Sequence, residues 1–507
     1  MTHLVRVLYT VTLLGLATCA AQAVVLIVLY LIHRRDPSPR VPEVPDGELP
    51  SVTVQVPLRN ERHVVHQIIE AVAALDWPRD RLEIQILDDS EDETAAVVAA
   101  EVLRLQDVGL NIQEIRRAEP EGYKAGALAA GLAQACGEFV AIFDADFCPA
   151  PDFLRRTVPH FLPDPGLGMV QARWTHLNAE YSLMTRIQAL ALDAHFTVEH
   201  LARNRSGLLM NFNGAAGVWR RAAIEGVGGW SADTVTEDLD LSYRAQLAGW
   251  SVLYLPDVVA PAELTPLVVA FKAQQSRWAK GASQCLRKLA GPIVRSRRLN
   301  LWQKAMALLH LSGYFNQPLL LVMILLTLPM VLTAPHFSDF SLWLGGLASV
   351  PPVLYVLGQM ALYRDWPRRI LIYPALMFLW LGMAWSLTLA VTDGLRHWGG
   401  VFVRTPKYRI RGRSGRWQTS AYRPRAGATW VGEVLIGLYV FAAIRMALEL
   451  DHTHLLPLVA GYGVGQLMIL SLTLVQTLTA RRGATRQPDP GIAAHSSVNG
   501  GCDDDVA

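Results

Sequence analysis

Cysteine and charged residues are both scarce in this chain of 507 residues. The five cysteines are widely spaced and form no CxxC pair, which argues against a zinc site or a disulfide framework and fits a reducing, cytosol-facing environment. Asp, Glu, Lys and Arg make up only 18% of the chain, and the net charge of +2 gives no basic field that would favour nucleic acid as a partner. Neither a Gly-rich dinucleotide fingerprint nor a GxxxxGK(S/T) loop occurs, so two common nucleotide-binding folds find no support.

Hydrophobic residues, by contrast, make up 51% of the chain and concentrate at the N-terminus and after residue 300. Residues 7–32 contain no Asp, Glu, Lys or Arg and are long enough to cross a bilayer. The stretch AQA at 21–23 resembles a signal-peptidase site, but the apolar run continues past it, so we favour an uncleaved anchor. The basic residues at 33–35 predict that the C-terminal end of this anchor is cytoplasmic.

Further apolar runs follow at 305–334, 340–363, 370–392, 428–448 and 455–480. Glu433 lies near one end of the fourth run and is expected to snorkel. Residues 394–427 hold nine Lys and Arg and no acid, which predicts a cytoplasmic segment. Because the soluble block before residue 300 is also expected to be cytoplasmic, an even number of crossings must separate the two. We therefore expect the run at 370–392 to lie in the interface or to re-enter; the alternative is that the basic segment lies outside.

Strand and helix patterns alternate between residues 50 and 300. The runs at 51–58, 82–90 and 138–147 are typical of strands, and the segments between them have helical apolar spacing. This alternation predicts an α/β fold with a mostly parallel sheet and right-handed crossovers. In such sheets ligands bind beyond the carboxyl ends of the strands.

Acidic pairs stand at two of these strand ends. Asp88 and Asp89 follow one strand, and Asp144 and Asp146 follow another. Acids there can be ordinary turn or helix-cap residues, but two pairs in one sheet favour a site. Residues two apart on an extended chain point to the same side, so Asp144 and Asp146 suit a divalent cation shared with a diphosphate.

The motifs DDS, DAD, TED and QQSRW occur in this order, and the block from Ser51 to about Arg287 resembles family-2 glycosyltransferases of the membrane-embedded, cellulose-synthase-like branch. The stretches ILDDSEDET, GYKAGAL, FNGAAGVWRRAAIEGVGGW and FKAQQSRWAKG are most similar to mannan and glucomannan synthases. FVRTPK, at 402–407, resembles the gating loop of processive synthases, with Arg404 where these usually have Val. The resemblance implies a GT-A-like, nucleotide-sugar transferase domain, with its mostly parallel sheet, embedded in an α-helical multi-pass membrane protein.

The activity that the resemblance implies is inverting transfer of a hexose from GDP-mannose or UDP-glucose to a growing β-linked polysaccharide, with export as a further possibility through accessory proteins. Alternatives are transfer of one sugar to a lipid acceptor, and a non-enzymatic transporter or scaffold. The implied location is the cell membrane, in contact with lipid, with the catalytic domain in the cytoplasm. The implied cofactor is Mg²⁺ or Mn²⁺, held by Asp144 and Asp146, and Asp238 of TED would be the catalytic base.

The resemblance also assigns the remaining roles by motif position. Donor-binding residues would be Asp88, Asp89, Glu61, Lys124, Asp144, Arg277, Thr405 and Lys407. Acceptor-binding residues would be Trp278, Gln274 and Glu237.

Several of these residues also have a purely structural interpretation. Arg277 and Trp278 could be an interfacial anchor, since basic and Trp residues favour the headgroup region. His195 and His200 are five apart, a poor match for two metal ligands on one helical face, and are expected to be structural. Asp240 is expected to be a cap or surface residue. Gly214 could serve a tight turn or a close approach of the backbone to the acceptor.

The expected organisation divides the chain into eight segments. They are a transmembrane helix (1–35), a Pro-rich linker (36–50), a cytosolic transferase domain (51–263), an interfacial amphipathic helix (264–303), membrane helices (304–393), a basic gating segment (394–427), two membrane helices (428–480) and a disordered tail (481–507).

Overall fold

The computed structural model describes residues 2–333, 339–401, 404–418, 420, 422 and 427–484. Phe402 and Val403 of the expected gating loop, and the expected tail beyond residue 484, lie outside the described residues.

A seven-stranded mixed sheet forms the centre of the soluble block, with strand order β3-β2-β1-β4-β6-β5-β7. Its strands are β1 (Val52–Leu58), β2 (Leu82–Asp88), β3 (Ile112–Ile115), β4 (Phe139–Ile142), β5 (Leu167–His176), β6 (Gly217–Arg220) and β7 (Ser251–Ala262). β1 pairs in parallel with β2 and β4, β2 with β3, and β5 with β7, whereas β6 is antiparallel to both neighbours. The predicted α/β class with a mostly parallel sheet is confirmed.

The helices cover one another and both faces of the sheet. They are α1 (Thr2–His33), α2 (Val65–Ala73), α3 (Thr94–Asp107), α4 (Tyr123–Gln134), α5 (Phe153–Thr157), α6 (Leu183–Ala194), α7 (Leu201–Arg205), α8 (Arg221–Glu225), α9 (Glu237–Ala248), α10 (Val268–Arg295), α11 (Leu301–Leu311), α12 (Asn316–Thr333), α13 (Asp339–Ala348), α14 (Pro352–Leu362), α15 (Trp366–Arg369), α16 (Tyr373–Gly382), α17 (Ala384–Arg396), α18 (Thr429–Glu449) and α19 (Leu456–Ala484). A π-helical turn, His195–His200, joins α6 to α7.

The central strand β1 is buried on both faces, but only one of these faces is apolar. Val52, Val54 and Val56 of β1 are completely buried in the main hydrophobic core. The other face of β1 carries Thr53 and Gln55, which bond across to Glu83 (2.7 Å) and Gln85 (2.9 Å) of β2. These polar pairs satisfy buried groups and fix the register of the two strands that present the donor-side loops.

Five helices among the described residues are long and apolar enough to cross a membrane, by length and composition. They span Thr2–His33, Gly313–Thr333, Trp343–Leu362, Thr429–Glu449 and Val459–Ala480. The run that we expect to lie in the interface or re-enter, 370–392, corresponds to two helical stretches, Trp366–Gly382 and Ala384–Arg396, bent by 53°. If this bent pair is one span, the number of candidate spans is six. Its position relative to a membrane stays a prediction.

Glu433 does not snorkel to the surface as expected. It is completely buried in α18 and forms an ion pair with Lys272 of α10. A carboxylate inside an apolar helix is costly unless it is paired, and the lysine supplies the pairing charge. The expectation was wrong because the partner lies 161 positions earlier in the chain, where local sequence gives no sign of it.

We expect Glu433→Ala to lower the free energy of unfolding by about 3–5 kcal/mol, because it leaves Lys272 as an uncompensated buried charge. The double variant Lys272→Met/Glu433→Met should recover most of this loss, since it removes both charges. Denaturant unfolding in detergent measures both. The matched control is Glu449→Ala, which breaks the exposed Arg445–Glu449 pair of the same helix and should cost less than about 1 kcal/mol. Equal losses for Glu433→Ala and Glu449→Ala would contradict the argument.

Candidate active site

A cavity of about 1130 Å³ lies beyond the carboxyl ends of β1, β2 and β4 and continues toward the apolar helices, as far as Trp380 of α16. The structure brings all the sequence-predicted site residues except Asp88 to its wall. They are Glu61, Asp89, Lys124, Asp144, Asp146, Glu237, Asp238, Gln274, Arg277, Trp278, Thr405 and Lys407.

The two acids after β2 point in different directions. Asp88 is buried and accepts hydrogen bonds from the Ser90 backbone N–H (2.9 Å) and from Arg116 (2.5 Å), so it shapes the loop and does not line the cavity. Asp89 lines the cavity and is held by Arg117 through two bonds of 3.1 and 2.5 Å. This pairing orients Asp89 for contact with a ligand.

Lys124, on the first turn of α4, lies between two acidic side chains and a backbone carbonyl. It forms an ion pair with Asp144, donates to the Gly214 carbonyl at 3.0 Å, and lies 4.0 Å from Glu237. Burial alone would lower the pKa of Lys124, but Asp144 and Glu237 outweigh it and raise this pKa above its ordinary value. Lys124 is therefore a fixed positive charge at the centre of the cavity.

Asp146, which follows β4, contacts the basic segment, residues 394–427, through Lys407. It accepts hydrogen bonds from Lys407 Nζ at 2.6 Å and from the Glu263 backbone N–H at 3.1 Å. The Glu263 side chain in turn accepts bonds from the backbone N–H groups of Tyr408 (2.9 Å) and Ile410 (3.3 Å). Burial raises the pKa of Glu263 to about 7, with Lys407 opposing. These contacts hold the basic segment against the strand end that carries Asp146.

Glu61 and Thr405 contribute polar atoms that have no partner among the described residues. Both side chains are buried against the cavity, and neither Glu61 Oε2 nor the Thr405 hydroxyl makes a hydrogen bond there. Burial raises the pKa of Glu61 to about 8, although Arg404, 3.5 Å away, and Lys407 oppose the shift. Buried polar atoms without partners are costly in an empty site and are satisfied by a polar ligand.

Asp238 lies on the first turn of α9, where one of its oxygens accepts the Leu239 backbone N–H at 2.8 Å. Gly214 packs against the other oxygen: its φ is +86°, and a Cβ there would lie 3.0 Å from Asp238 Oδ2. Gly214 therefore serves both a left-handed backbone conformation and a close approach. Burial and the neighbouring charge of Glu237 raise the pKa of Asp238 to about 7, and Lys124 opposes them. A carboxylate with this pKa is suited to general base catalysis near neutral pH.

Helix α10 brings Arg277 to the same acids. Gly281 lets α10 approach the start of α9, since a Cβ there would lie 2.3 Å from Thr236 Oγ1. Arg277 is partly buried within the charge field of Glu237 and Asp238, and desolvation lowers its pKa from the ordinary value for arginine. An arginine in this position can pair with phosphate oxygens through its planar fork.

These features agree with a comparison to known proteins. Residues 50–291 match the family described as "Glycosyltransferase like family 2". Residues 50–291 are therefore similar in sequence to family-2 glycosyltransferases. The resemblance drawn from the motifs is thereby confirmed.

Curated relatives of the glycosyltransferase domain are glucomannan 4-beta-mannosyltransferases. The chain is 39% identical over 333 residues to glucomannan 4-beta-mannosyltransferase 2 of Arabidopsis thaliana, covering 64% of this chain and 61% of the relative. It is 45% identical over 278 residues to glucomannan 4-beta-mannosyltransferase 1 of Oryza sativa subsp. japonica, covering 54% and 53%. The chain thus spans between half and two thirds of the length of these relatives.

The fold of the chain also matches a solved structure. Mannosyltransferase PcManGT from Pyrobaculum calidifontis, solved in complex with GDP-Man and Mn²⁺, aligns with a TM-score of 0.52 and 22% identity. The alignment covers 76% of this chain and 99% of PcManGT. At this identity the match supports the fold.

Asp240 is neither a cap nor a surface residue, so that expectation was wrong. It is completely buried and pairs with Arg244 of α9 and with Lys288 of α10, both at 2.8 Å. The pairing clamps the helix that carries Asp238 against the helix that carries Arg277. Sequence proximity identified the Arg244 partner only as an ordinary i,i+4 neighbour, and it gave no sign of Lys288.

Sequence reasoning missed three residues that line the cavity. Glu263 follows β7 directly, so its position after a buried strand was an available signal. His195 and Glu199 line the cavity on the π-helical turn, whereas His200 of this turn is buried, as expected for a structural histidine. The π-helical turn has no sequence signature that helical periodicity could have detected.

Proposed function

We propose that the protein is an inverting β-hexosyltransferase that transfers mannose from GDP-mannose to a growing β-linked glycan at the membrane. The observation that carries the proposal is the partly buried Asp238 beside Lys124 and Arg277, in one cavity with Asp144 and Asp146. The names of the curated relatives support mannose over glucose, and UDP-glucose is the competing donor.

In the proposed reaction Asp238 accepts the proton of the acceptor hydroxyl as its oxygen forms a bond to the anomeric carbon. The bond between that carbon and the phosphate oxygen breaks, and the nucleoside diphosphate leaves with the bonding electron pair. A sugar hydroxyl is a poor nucleophile, so a carboxylate within hydrogen-bond reach is needed. The pKa of Asp238, raised to about 7 by burial, makes it a stronger base than an exposed aspartate.

Negative charge develops on the leaving diphosphate, and cationic side chains in the cavity can stabilise it. Lys124 and Arg277 lie beside Asp238, and Lys407 reaches the cavity from the basic segment. Lys124 and Lys407 are partly buried and held in place by Asp144 and Asp146, so they need little reorganisation during the reaction. In the proposed complex they exchange part of their contact with Asp144 and Asp146 for the diphosphate.

Asp144 and Asp146 fit the oxygen ligands that Mg²⁺ or Mn²⁺ requires, because both carboxylates line the cavity on the same edge of the sheet. Such an ion would neutralise charge on the diphosphate. Lys124 and Lys407 balance the two carboxylates in their present contacts.

A polysaccharide acceptor is favoured by the shape of the cavity, which continues from Asp238 toward the apolar helices, where Tyr314, Tyr355 and Trp380 line it. Aromatic faces suit the apolar side of pyranose rings. We propose that the glycan leaves in this direction, with the transferase domain in the cytoplasm and lipid around the apolar helices; accessory export proteins would act beyond the cavity. Transfer of one sugar to a lipid is the competing outcome.

The test is a donor screen with the full chain in detergent, using GDP-mannose and UDP-glucose with MgCl₂ or MnCl₂, followed by linkage and length analysis of the product. We expect a β-linked mannan-type polymer from GDP-mannose. A lipid-soluble product carrying one sugar would replace the polymerase assignment, and absence of transfer with every donor would overturn the proposal.

The rate should depend on pH through Asp238. Because the base must be ionised, kcat/KM should rise as pH increases through about 7 and should be roughly 100-fold lower at pH 5 than on the plateau. Glu237→Gln removes a like charge that raises the pKa of Asp238, so it should move this limb to lower pH. If the rise in kcat/KM occurs at the same pH in Glu237→Gln as in the wild-type protein, this pH dependence reports the ionisation of a group other than Asp238.

A further inference from the structure

Between Asp238 and the apolar helices, the cavity wall carries polar groups that have no role in the proposed reaction. His195 and Glu199 line it from the π-helical turn, with 28% and 30% of their side chains exposed. π-helical turns inside longer helical runs are frequent at functional sites.

These two side chains connect to the backbone next to the base. His195 Nδ1 lies 3.1 Å from Glu199 Oε2, and His195 Nε2 lies 3.4 Å from Asn213 Oδ1. Asn213 directly precedes Gly214, which packs against Asp238. The three polar side chains therefore form one continuous surface beside the catalytic base.

Asn213 is fixed in this position from behind. Its backbone N–H donates to Gln171 Oε1 at 3.0 Å, and its Nδ2 donates to His200 Nε2 at 2.8 Å. Burial holds the pKa of His200 well below its ordinary value, so the neutral imidazole can accept this bond. Asn213 Oδ1 accepts a hydrogen bond from Asn211 Nδ2 at 2.5 Å and also faces His195, so its orientation is determined.

A buried amide on the neighbouring helix adds an independent sign of a ligand. Gln317, at the start of α12, is 1% exposed and lines the same cavity, and its Oε1 has no hydrogen-bond partner among the residues that the structure describes. A buried amide oxygen without a partner is unfavourable and is satisfied when a hydroxyl donor binds.

We propose that His195, Glu199 and Asn213 form the subsite that positions the terminal hexose of the acceptor glycan, so that its hydroxyl faces Asp238. This inference rests on the proposed function, because it assigns residues to the acceptor of that reaction. A carboxylate, an imidazole and an amide together can accept from and donate to neighbouring sugar hydroxyls. The carboxylate of Glu199 repels a phosphate, so the subsite selects a neutral glycan and not a phosphorylated lipid.

The first experiment measures glycan binding without turnover. The full chain in detergent is titrated with β-1,4-mannohexaose and, separately, cellohexaose in the presence of GDP, and Kd is measured by calorimetry. We expect Glu199→Gln and His195→Gln to raise Kd by about 10-fold or more, the loss expected for a hydrogen bond to a charged group. The matched control is Glu225→Gln, which alters the i,i+4 pair Arg221–Glu225 on an exposed helix away from the cavity. Its Kd should equal that of the wild-type protein.

The second experiment separates acceptor positioning from structural damage. Hydrolysis of GDP-mannose uses water in place of the acceptor, so Glu199→Gln should leave the hydrolysis rate within about twofold of wild type while the acceptor KM rises about 10-fold. Parallel losses of hydrolysis and transfer, or an unchanged acceptor KM, would overturn the subsite.

The outcomes also distinguish this inference from the proposed function. If the wild-type protein transfers no sugar but binds one of the two glycans, and Glu199→Gln weakens that binding, the proposed reaction fails and the subsite stands. If the wild-type protein binds neither hexasaccharide, the subsite is overturned even when transfer from GDP-mannose to another acceptor is observed.

Discussion

Asp238→Asn should abolish glycosyl transfer while leaving donor affinity intact. Asparagine keeps the size of the side chain but cannot accept the proton of the acceptor hydroxyl, and general base catalysis contributes about 10²–10⁴-fold. We expect kcat to fall about 10³-fold, with Kd for GDP-mannose within about twofold of wild type. Turnover is measured as GDP release with acceptor present, and donor binding is measured by calorimetry on the same preparation.

The control is Asp233→Asn, which changes an acid upstream on the same loop. Asp233 is 45% exposed, pairs with Lys288, and does not line the cavity, so its loss should change kcat less than twofold. Full activity in Asp238→Asn would remove Asp238 from the reaction. A parallel loss of donor binding would assign it to the donor site instead.

The strand-end acids were predictable because they depend on local rules. A buried parallel strand places its last residues at one edge of the sheet, so Asp89, Asp144 and Asp146 had to lie near one another. In the structure the chain turns directly after β4, and both Asp144 and Asp146 line the cavity. Asp88 is the exception, because its carboxylate accepts a hydrogen bond from Arg116 and does not line the cavity.

The contacts that assemble the site across the chain were not predictable from periodicity. Lys407 donates a hydrogen bond to Asp146 over a sequence separation of 261 residues. The buried Asp240 forms an ion pair with Lys288 of α10. Nothing in the spacing of either residue specifies such a partner. Motif order identified Lys407 as a site residue, but only the fold gives its contact.

The same distinction explains His195 and Glu199. Spacing alone indicated that His195 and His200 are a poor match for two metal ligands, and it treated the segment as a regular helix. The π-helical turn changes which side chains reach the cavity, and this change arises from packing against α14 and the loop that carries Asn213.

The double variant Asp144→Ala/Asp146→Ala should lose both transfer and metal-dependent donor binding. The two carboxylates are the oxygen ligands proposed for Mg²⁺ or Mn²⁺, and a metal ion at a diphosphate contributes several kcal/mol of charge stabilisation. We expect kcat/KM to fall by about 10³-fold or more, and EDTA treatment of the wild-type protein to reproduce the loss. Calorimetry with GDP-mannose, with and without MnCl₂, should show a metal effect in the wild-type protein and none in the variant.

Asp152→Asn is the matched control, because this exposed acid lies a few residues beyond Asp146 and outside the cavity. It should behave like the wild-type protein in all three measurements. The single variant Asp146→Asn separates two roles of its carboxylate, since it keeps Asp144 but frees Lys407. If raised MnCl₂ restores part of its activity, Asp146 acts through the metal. If the double variant keeps wild-type function, the chemistry does not pass through these carboxylates, and the non-enzymatic transporter or scaffold becomes the better account of the chain.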